Sequence, residues 1–364
     1  MARSRTPRAI KQRRWAQIAF FVLVLLIGAQ FVAWVLAHLA GRSPAVPRPP
    51  GVEGFLPISA LLSLRLWVHG GGIHPVHPAG LAILLAILAM SVVAAKSFCS
   101  HVCPVGTVSE GLGKLGERLL GATWRLPGWL DYPLRSLKYL LLVFFLWAVL
   151  FSMDVAAVQA FLDSPYNRVA DVKMMLFFAS PSRLTVAVLG VLVVGSVLVR
   201  DLWCRYLCPY GALLGVLGRL APLRVTRDAS RCTDCRACTR VCPARLPVHR
   251  LKRVASVECT SCQDCVAVCP VPSCLALRPP RIGSAARALS ARGAVVLAVG
   301  IFLTVVAAFR LAGFWHGSVS EAEFAARLAD IHSPLYTHTG GLATSEPDPP
   351  AVVPLPAHRA SDLQ

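Results

Sequence analysis

The chain has 364 residues, of which 55% are hydrophobic, and it carries a formal net charge of +19. So large an apolar share excludes an ordinary soluble protein and favours a membrane protein. A charge of this sign and size is also typical of proteins that bind nucleic acid. Its distribution along the chain, described below, does not support a nucleic-acid partner.

Long uncharged runs predict a membrane α-helical bundle of about five transmembrane helices, with a ferredoxin-like domain inserted on the cytoplasmic side. The predicted spans are residues 15–40, 78–98, 137–156, 183–203 and 290–312. In the last three, the uncharged part is shorter than the roughly 20 residues that a bilayer core requires. Basic side chains at their ends can extend each span towards the interface, namely Lys138, Arg183, Arg200, Arg292 and Arg310.

The segments between the predicted spans differ in composition. A basic N-terminus, 1–14, precedes the first span, and a loop at 41–77 contains a half-apolar stretch that predicts an interfacial helix. Two segments, 99–136 and 204–221, contain paired cysteines, and a second outer loop covers 157–182. The tail, 313–364, ends in a Pro-rich stretch that predicts disorder.

Basic residues are distributed unevenly between the two sides of this arrangement. With the N-terminus inside, 28 of the 37 Lys and Arg residues lie on the cytoplasmic side and nine lie outside. This asymmetry predicts a multi-pass protein of the bacterial inner membrane, with a cytoplasmic N-terminus and ferredoxin domain and a periplasmic C-terminus. All 13 cysteines then face the reducing side or its membrane edge, which favours metal-ligating thiolates over disulfides. The basic excess also suits the lipid bilayer as a partner, through its anionic headgroups.

The most informative motif is a tandem of cysteines in residues 222–280. Both copies have the spacing C-x2-C-x2-C-x3-C-P, which is that of bacterial ferredoxins with two [4Fe–4S] clusters. In this pattern the fourth cysteine of each motif binds the other cluster. The expected ligands are therefore Cys232, Cys235, Cys238 and Cys269 for one cluster, and Cys259, Cys262, Cys265 and Cys242 for the other.

Four further cysteines form a second pair of motifs. Cys99 and Cys103, and then Cys204 and Cys208, each stand in a C-x3-C-P-x-G sequence, and the two copies are 105 residues apart. Together they supply four thiols, enough for a third iron–sulfur cluster. Two alternatives are a redox-active dithiol pair and thiols that only line a contact with the ferredoxin domain. Cys274 stands alone, and a lone cysteine is usually a small buried apolar residue.

Two histidines and three arginines complete the candidate residues. His74 and His77 precede the second span, where a quinone headgroup or its proton could be received, although they are also compatible with ordinary loop positions. Arg236, Arg240 and Arg245 lie among the ferredoxin cysteines. They suit either adjustment of a cluster potential or contact with lipid phosphate, and the simplest interpretation is a solvated basic face.

These motifs, in residues 50–280, resemble the NapH/NosR/YccM group of membrane-bound polyferredoxins. The resemblance implies an inner-membrane protein that takes electrons from quinol or mediates between the quinone pool and a partner reductase. The chain departs from the NosR pattern because it has no large periplasmic flavin domain. It departs from the NapH pattern in its fifth predicted span and its periplasmic tail.

The leading functional hypothesis is an iron–sulfur electron-transfer protein that passes single electrons between the quinone pool and an unidentified redox partner, as a quinol dehydrogenase-type component. An alternative is an assembly factor that delivers or reduces a metal for another membrane oxidoreductase. Loss of an assembly factor would leave its target short of metal, whereas loss of a relay would leave the target intact but unreduced. A redox sensor that depends on the C-x3-C-P thiols is a third possibility.

Overall fold

The computed structural model describes residues 8–279 and 288–337, and most of them are helical. The predicted disordered end of the tail lies outside the described residues. The first part of the chain forms eleven α-helices, which are α1 Arg8–Leu39, α2 Pro57–Val68, α3 Pro78–Ala94, α4 Ser97–His101, α5 Pro104–Leu120, α6 Gly128–Trp147, α7 Val155–Asp163, α8 Pro165–Arg168, α9 Ala170–Ala179, α10 Arg183–Leu198 and α11 Pro209–Leu217.

The remainder contains a small two-stranded sheet and four further helices. These elements are β1 Arg224–Arg227, α12 Ala237–Val241, α13 Asp264–Ala267, β2 Leu275–Arg278, α14 Ala291–Leu311 and α15 Glu321–Ala329. Short 3₁₀ helices cover Pro50–Phe55, Gly218–Leu220, Val248–Arg250 and Pro334–Tyr336. Two π-helical turns occupy Ala148–Ser152 and Trp203–Leu207.

Three described helices are long and apolar enough to cross a membrane by themselves. They are Arg8–Leu39, Gly128–Ser152 and Arg292–Leu311. The pair α9 and α10, bent by 78°, provides a fourth if it is counted as one span. The predicted second span corresponds to α3, an apolar helix of 17 residues, which is short for a crossing helix. The count of five spans therefore stays a prediction.

Helix α3 is instead the buried centre of the bundle. It is apolar on all sides, and Leu81, Met90 and its small residues are shielded by α2, α14 and the turn Pro50–Phe55. Small side chains allow this close approach, because a Cβ at Gly80 would lie 3.1 Å from the carbonyl oxygen of Glu53. Neighbouring elements of the protein therefore cover most of α3.

The segment after α14 packs back onto the end of α1. Phe324 of α15 meets the ring of Trp34 edge-on at 5.1 Å, and Leu328 and Ile331 complete the same apolar cluster. Beside this cluster, the Arg48 guanidinium pairs with Asp171 at 2.6 Å and with Glu53 at 3.1 Å. The part of the predicted outer tail that the structure describes is therefore integral to the bundle.

The ferredoxin module begins and ends in one antiparallel strand pair. Arg224 of β1 is opposite Arg278 of β2, and Val225 is opposite Leu277, whose side chains both face the module's core. Along the chain, both cysteine motifs lie between β1 and β2. Pairing of the strands therefore closes the module on itself, and the bridge from Leu277 to Leu289 connects it to α14.

Two helices pack closely at one glycine of α5. A Cβ built at Gly116 would lie 1.9 Å from the carbonyl oxygen of Val197 in α10. We expect Gly116→Ala to destabilise the fold by about 1–3 kcal/mol, because the two helix backbones must separate. Gly111→Ala, an exposed position on the same helix with no atom within 4 Å, should be neutral or stabilising by up to ~1 kcal/mol. Thermal unfolding of both variants in detergent checks this difference, and equal midpoints would contradict the packing.

Candidate functional site

The cysteines of the ferredoxin module line two separate cavities. The first is lined by Cys232, Cys235, Cys238 and Cys269, and the second by Cys242, Cys259, Cys262 and Cys265. Each cavity thus receives three cysteines from one motif and the last cysteine of the other. This is the crossed grouping expected from the sequence, and it forms because Cys242 and Cys269 stand after the short helices α12 and α13.

Both motifs fold the same way around their thiols. Asp234 and Arg236 in the first motif adopt left-handed backbone conformations, with φ of 52° and 58°. Ser261 and Gln263, 27 residues later, do the same with φ of 52° and 62°. Residues in the left-handed conformation just before a helix orient successive backbone N–H groups inward. These groups create a concave site for anions. Such a site suits the thiolates that hold an iron–sulfur cluster.

The thiol pKa values depend on how deeply each cysteine is enclosed. At the exposed rim, hydrogen bonds from the Asp234 backbone and from Arg227 lower the pKa of Cys232. Burial raises the pKa of Cys242, Cys259 and Cys265 above the ordinary thiol value. Thiols lose their protons when they bind iron, so a cluster in the second cavity would release protons as it binds.

Cys274 lies at the first cavity rather than in an isolated apolar position. It is buried, it lines the same cavity as Cys232 and Cys269, and its Sγ is 3.5 Å from the carbonyl oxygen of Asp228. Burial, followed by the nearby Cys269 and Cys232 thiolates, raises its pKa to about 11. Its closeness to a cysteine site was not apparent from the sequence.

The four C-x3-C-P cysteines meet at a third cavity of about 120 Å³. Cys99 and Cys103 come from α4 and the start of α5, and Cys204 and Cys208 come from the π turn and the start of α11. Cys103 and Cys208 begin their helices in the same way, since the Sγ atoms accept the backbone N–H of Gly106 at 3.4 Å and of Gly211 at 3.2 Å. We call this the membrane-edge site.

The glycine of the first C-x3-C-P-x-G copy has a steric role at this site. A Cβ at Gly106 would lie 2.5 Å from the carbonyl oxygen of Cys99, so glycine is required there, whereas a Cβ at Gly211 in the second copy would make only ordinary contacts. Burial raises the pKa of Cys103 to about 11, and it also raises that of Cys99 and Cys204. These thiols are therefore enclosed, like those of the second ferredoxin cavity.

A buried charge cluster lies against the membrane-edge site. The Glu258 carboxylate accepts hydrogen bonds from Lys138 Nζ at 2.7 Å to both oxygens and from Tyr139 Oη at 3.0 Å. Lys96 Nζ lies 3.6 Å from the same carboxylate. Lys138 was expected to extend its span by reaching the interface, but its side chain is fully buried because it pairs with the ferredoxin module.

A second charge cluster connects α1 to the same module. Buried Arg13 bonds Glu110 of α5 at 2.9 Å and Asp264 of α13 at 3.2 Å. Gln17 donates to Glu110 at 3.1 Å. Lys138 and Arg13 thus attach the ferredoxin module to the membrane helices at two points.

The three cysteine sites form a continuous series. Cys262 lines both the membrane-edge cavity and the second ferredoxin cavity. Cys238 and Cys265, from the first and second ferredoxin cavities, belong to one buried cluster. Neighbouring sites are therefore separated by single layers of protein, which suits electron transfer between them.

The chemistry of the donor sets fits iron–sulfur clusters. Across residues 8–279 and 288–337, no three His, Cys, Asp or Glu side chains are arranged to hold one metal ion. Each set instead spreads four thiols around the wall of a cavity. This is the arrangement that a four-iron cube requires, because each cysteine binds a different corner.

His74 and His77 are both committed to protein partners. His74 Nε2 lies 3.1 Å from Asp163 Oδ1, and His77 Nε2 lies 2.6 Å from the backbone oxygen of Asn167. His77 Nδ1 also lies 3.5 Å from the buried Glu53 carboxylate. Both rings are buried, so contact with a quinone headgroup would require them to exchange these partners.

Family models match both kinds of cysteine motif. A 4Fe-4S binding domain matches residues 76–123 and again 184–227, and each match contains one C-x3-C-P pair. A 4Fe-4S dicluster domain matches residues 224–270. The matches agree with a chain that has iron–sulfur-binding regions in both the membrane part and the ferredoxin module.

Several curated proteins are similar to much of the chain. YccM of Escherichia coli K12, which is named as an electron transport protein, is 42% identical over 312 residues, covering 85% of this chain and 87% of YccM. The chain belongs to this family of membrane-type polyferredoxin electron transport proteins. The ferredoxin-type protein NapH of Escherichia coli K12 is 28% identical, covering 66% of the chain and 76% of NapH.

A methylamine utilization protein is also similar to part of the chain. The ferredoxin-type MauN of Paracoccus denitrificans is 31% identical, over 46% of this chain and 54% of MauN. No solved structure matches the chain. The relationship confirms the predicted membrane polyferredoxin, and iron–sulfur electron transfer is the activity common to the names of these relatives.

Proposed function

We propose that this polyferredoxin passes single electrons between the quinone pool and a partner redox protein, as a quinol dehydrogenase-type component of the inner membrane. The observation that carries the proposal is the series of three adjoining cysteine sites, which begins at the ends of membrane helices and continues through the ferredoxin module. A [4Fe–4S] cluster at each site would supply one-electron redox chemistry.

The membrane-edge cysteines are the proposed entry point. Phe98, Val105 and Tyr210 line their cavity and give it an apolar wall. Lys96 and Lys138 lie nearby, and their positive charges lower the pKa of Cys99 and Cys208 against the larger effect of burial. The two lysines therefore stabilise the negatively charged thiolates at a site where burial disfavours charge.

The ferredoxin module is the proposed exit on the cytoplasmic side. The excess of Lys and Arg in the segments on that side supports this orientation, with the C-terminus in the periplasm. The first ferredoxin cavity is the more open, since Cys235 is exposed and Cys232 is partly exposed. A partner redox protein could therefore come closest to a cluster at the first ferredoxin cavity.

The proposal is tested with anaerobically purified, cluster-loaded protein mixed with a reduced short-chain quinone. We expect the visible absorbance of the oxidised clusters to fall in a stopped-flow experiment, as electrons enter from the quinol. A Cys99→Ser/Cys204→Ser variant should lose this reaction yet still be reduced by dithionite through its ferredoxin module. Clusters that stay oxidised with quinol in the intact protein would contradict the quinol-oxidising direction.

A further inference from the structure

An open cleft of about 340 Å³ lies between the loop that joins α5 to α6 and the ferredoxin chain around Cys242. Its wall is rich in guanidinium groups, which come from Arg125, Arg200, Arg240 and Arg245. Arg125 and Arg200 belong to the membrane part of the fold, and the other two belong to the ferredoxin module. The basic cleft is therefore formed only when the two parts meet.

Most of this charge has no acidic partner within the protein. Arg200 is the exception, since its Nη1 pairs with Glu117 at 3.1 Å and its Nε lies 3.7 Å from the Asp201 carboxylate. Arg245 Nη2 donates to the backbone oxygen of Trp124 at 3.0 Å. For Arg125, Arg240 and Arg245, the described parts of the chain supply no ion pair with a carboxylate.

Arg245 is both partly buried and close to other guanidinium groups. Burial, followed by the guanidinium groups of Arg205 and Arg125, lowers the pKa of Arg245 below its ordinary value. A site with several cations and one carboxylate is unfavourable when empty and gains energy from an anion. Guanidinium groups bind phosphate oxygens in paired hydrogen bonds, which makes phosphate the best-suited anion.

The position of the cleft indicates where that phosphate comes from. Trp124 donates its backbone N–H to the oxygen of Leu198, at 2.8 Å, and so fixes the loop to the end of α10. Trp124, Trp129 and Tyr132 expose 59%, 77% and 72% of their surface beside the cleft's loop. Exposed Trp and Tyr at helix ends are typical of the headgroup level of a bilayer. Binding of an acidic protein would not require these exposed aromatic side chains.

We propose that the cleft is a binding site for the headgroup phosphate of an anionic phospholipid, such as phosphatidylglycerol. Arg125, Arg240 and Arg245 would bind the phosphate, with Thr123 on the same wall, and the exposed tryptophans would lie among the neighbouring lipids. A bound headgroup would then connect the ferredoxin module to the bilayer at a point beside Cys242. The site is independent of the route proposed for electrons.

The test compares two variants of the full-length, cluster-loaded protein that lose equal charge. Arg125→Gln/Arg240→Gln removes two exposed cleft arginines that have no ion pair. Arg250→Gln/Lys252→Gln removes two exposed cations from elsewhere on the module. Each protein is delipidated in detergent and titrated with phosphatidylglycerol, phosphatidylcholine, inorganic phosphate or a polyglutamate peptide, and bound copies are counted by native mass spectrometry.

We expect the cleft variant to bind phosphatidylglycerol roughly 30-fold more weakly than the intact protein, from the usual contribution of each basic residue to anionic lipid binding. The Arg250→Gln/Lys252→Gln variant should match the intact protein, and phosphatidylcholine should bind weakly to all three. Equal weakening in both variants, or equal binding of the two lipids, would overturn the proposal. Binding of inorganic phosphate without phosphatidylglycerol would overturn the lipid source, and retention of a polyglutamate peptide alone would replace it with an acidic protein partner.

Discussion

Replacing Cys99 and Cys204 by serine should lower the iron content of anaerobically purified protein from about twelve to about eight atoms per chain, with acid-labile sulfide falling in proportion. The two substitutions remove one thiol from each C-x3-C-P pair. Because all four thiols line one cavity, the loss of two leaves too few ligands to hold a four-iron cluster there. The eight cysteines of the ferredoxin module are grouped at two other cavities, although Cys262 also lines the membrane-edge cavity, and we expect their clusters to be retained.

A matched control is available in Cys274→Ser. Cys274 is buried beside the first ferredoxin cavity, but that cavity already has four cysteines from the two motifs. We therefore expect Cys274→Ser to keep the full iron content. About eight irons in the intact protein would instead assign the membrane-edge thiols to dithiol chemistry or to a simple contact. A loss of iron in Cys274→Ser would make Cys274 a ligand.

Much of the candidate site could be predicted because its ligands are set by local spacing. Cys232, Cys235 and Cys238 need only a short turn and the first residues of a helix to face one cavity, so their grouping follows from the motif. The repeat that relates Cys99 and Cys103 to Cys204 and Cys208 is equally visible in the sequence. The family relationship to YccM confirms the type of protein that these motifs predicted.

The length of the membrane helices was harder to predict, because hydropathy does not reveal what surrounds a helix. The run 78–98 is as apolar as a span, but α3 ends at Ala94 and is covered by other helices. The run 183–203 continues backwards through a sharp bend into α9. An apolar sequence is required by both lipid and a protein interior, so the sequence alone cannot separate the two.

Partners that are distant in sequence could not be predicted either. Lys138 and Glu258 are 120 residues apart, and Arg13 and Asp264 are 251 residues apart. Nothing in the local pattern around Lys138 distinguishes it from a lysine that reaches the interface. The only sequence signal is that each of these charged residues stands next to an apolar run or a cluster cysteine, where an unpaired charge is costly.

The second large effect is expected at Glu258. We expect Glu258→Gln to destabilise the protein by about 3–5 kcal/mol, since it leaves Lys138 and Lys96 buried without the carboxylate that both face. The Lys138 side chain has no exposed surface and that of Lys96 only 5%, so water cannot replace the lost partner. The difference is measured by anaerobic thermal unfolding of the intact protein and the variant in the same detergent.

Glu117→Gln provides the control, because it breaks a salt bridge of ordinary length in an accessible place. Glu117 lies 3.1 Å from Arg200, and 40% of its side chain is exposed. Exposed pairs contribute less than about 1 kcal/mol, so this variant should unfold almost as the intact protein does. Equal destabilisation by the two variants would show that the Glu258 carboxylate is not buried as described.

A double variant separates lost pairing from lost packing at Glu258. Lys138→Met/Glu258→Gln removes one of the two stranded ammonium groups and fills its space with an apolar chain of similar length. We expect it to recover part of the stability lost in Glu258→Gln, because the penalty of an unpaired buried charge falls while the remaining contacts persist. A double variant less stable than Glu258→Gln alone would mean that Lys138 stabilises the fold through bonds other than its pair with Glu258. Recovery would identify charge pairing between α6 and the ferredoxin module as the interaction that holds the second ferredoxin cavity beside the membrane-edge site.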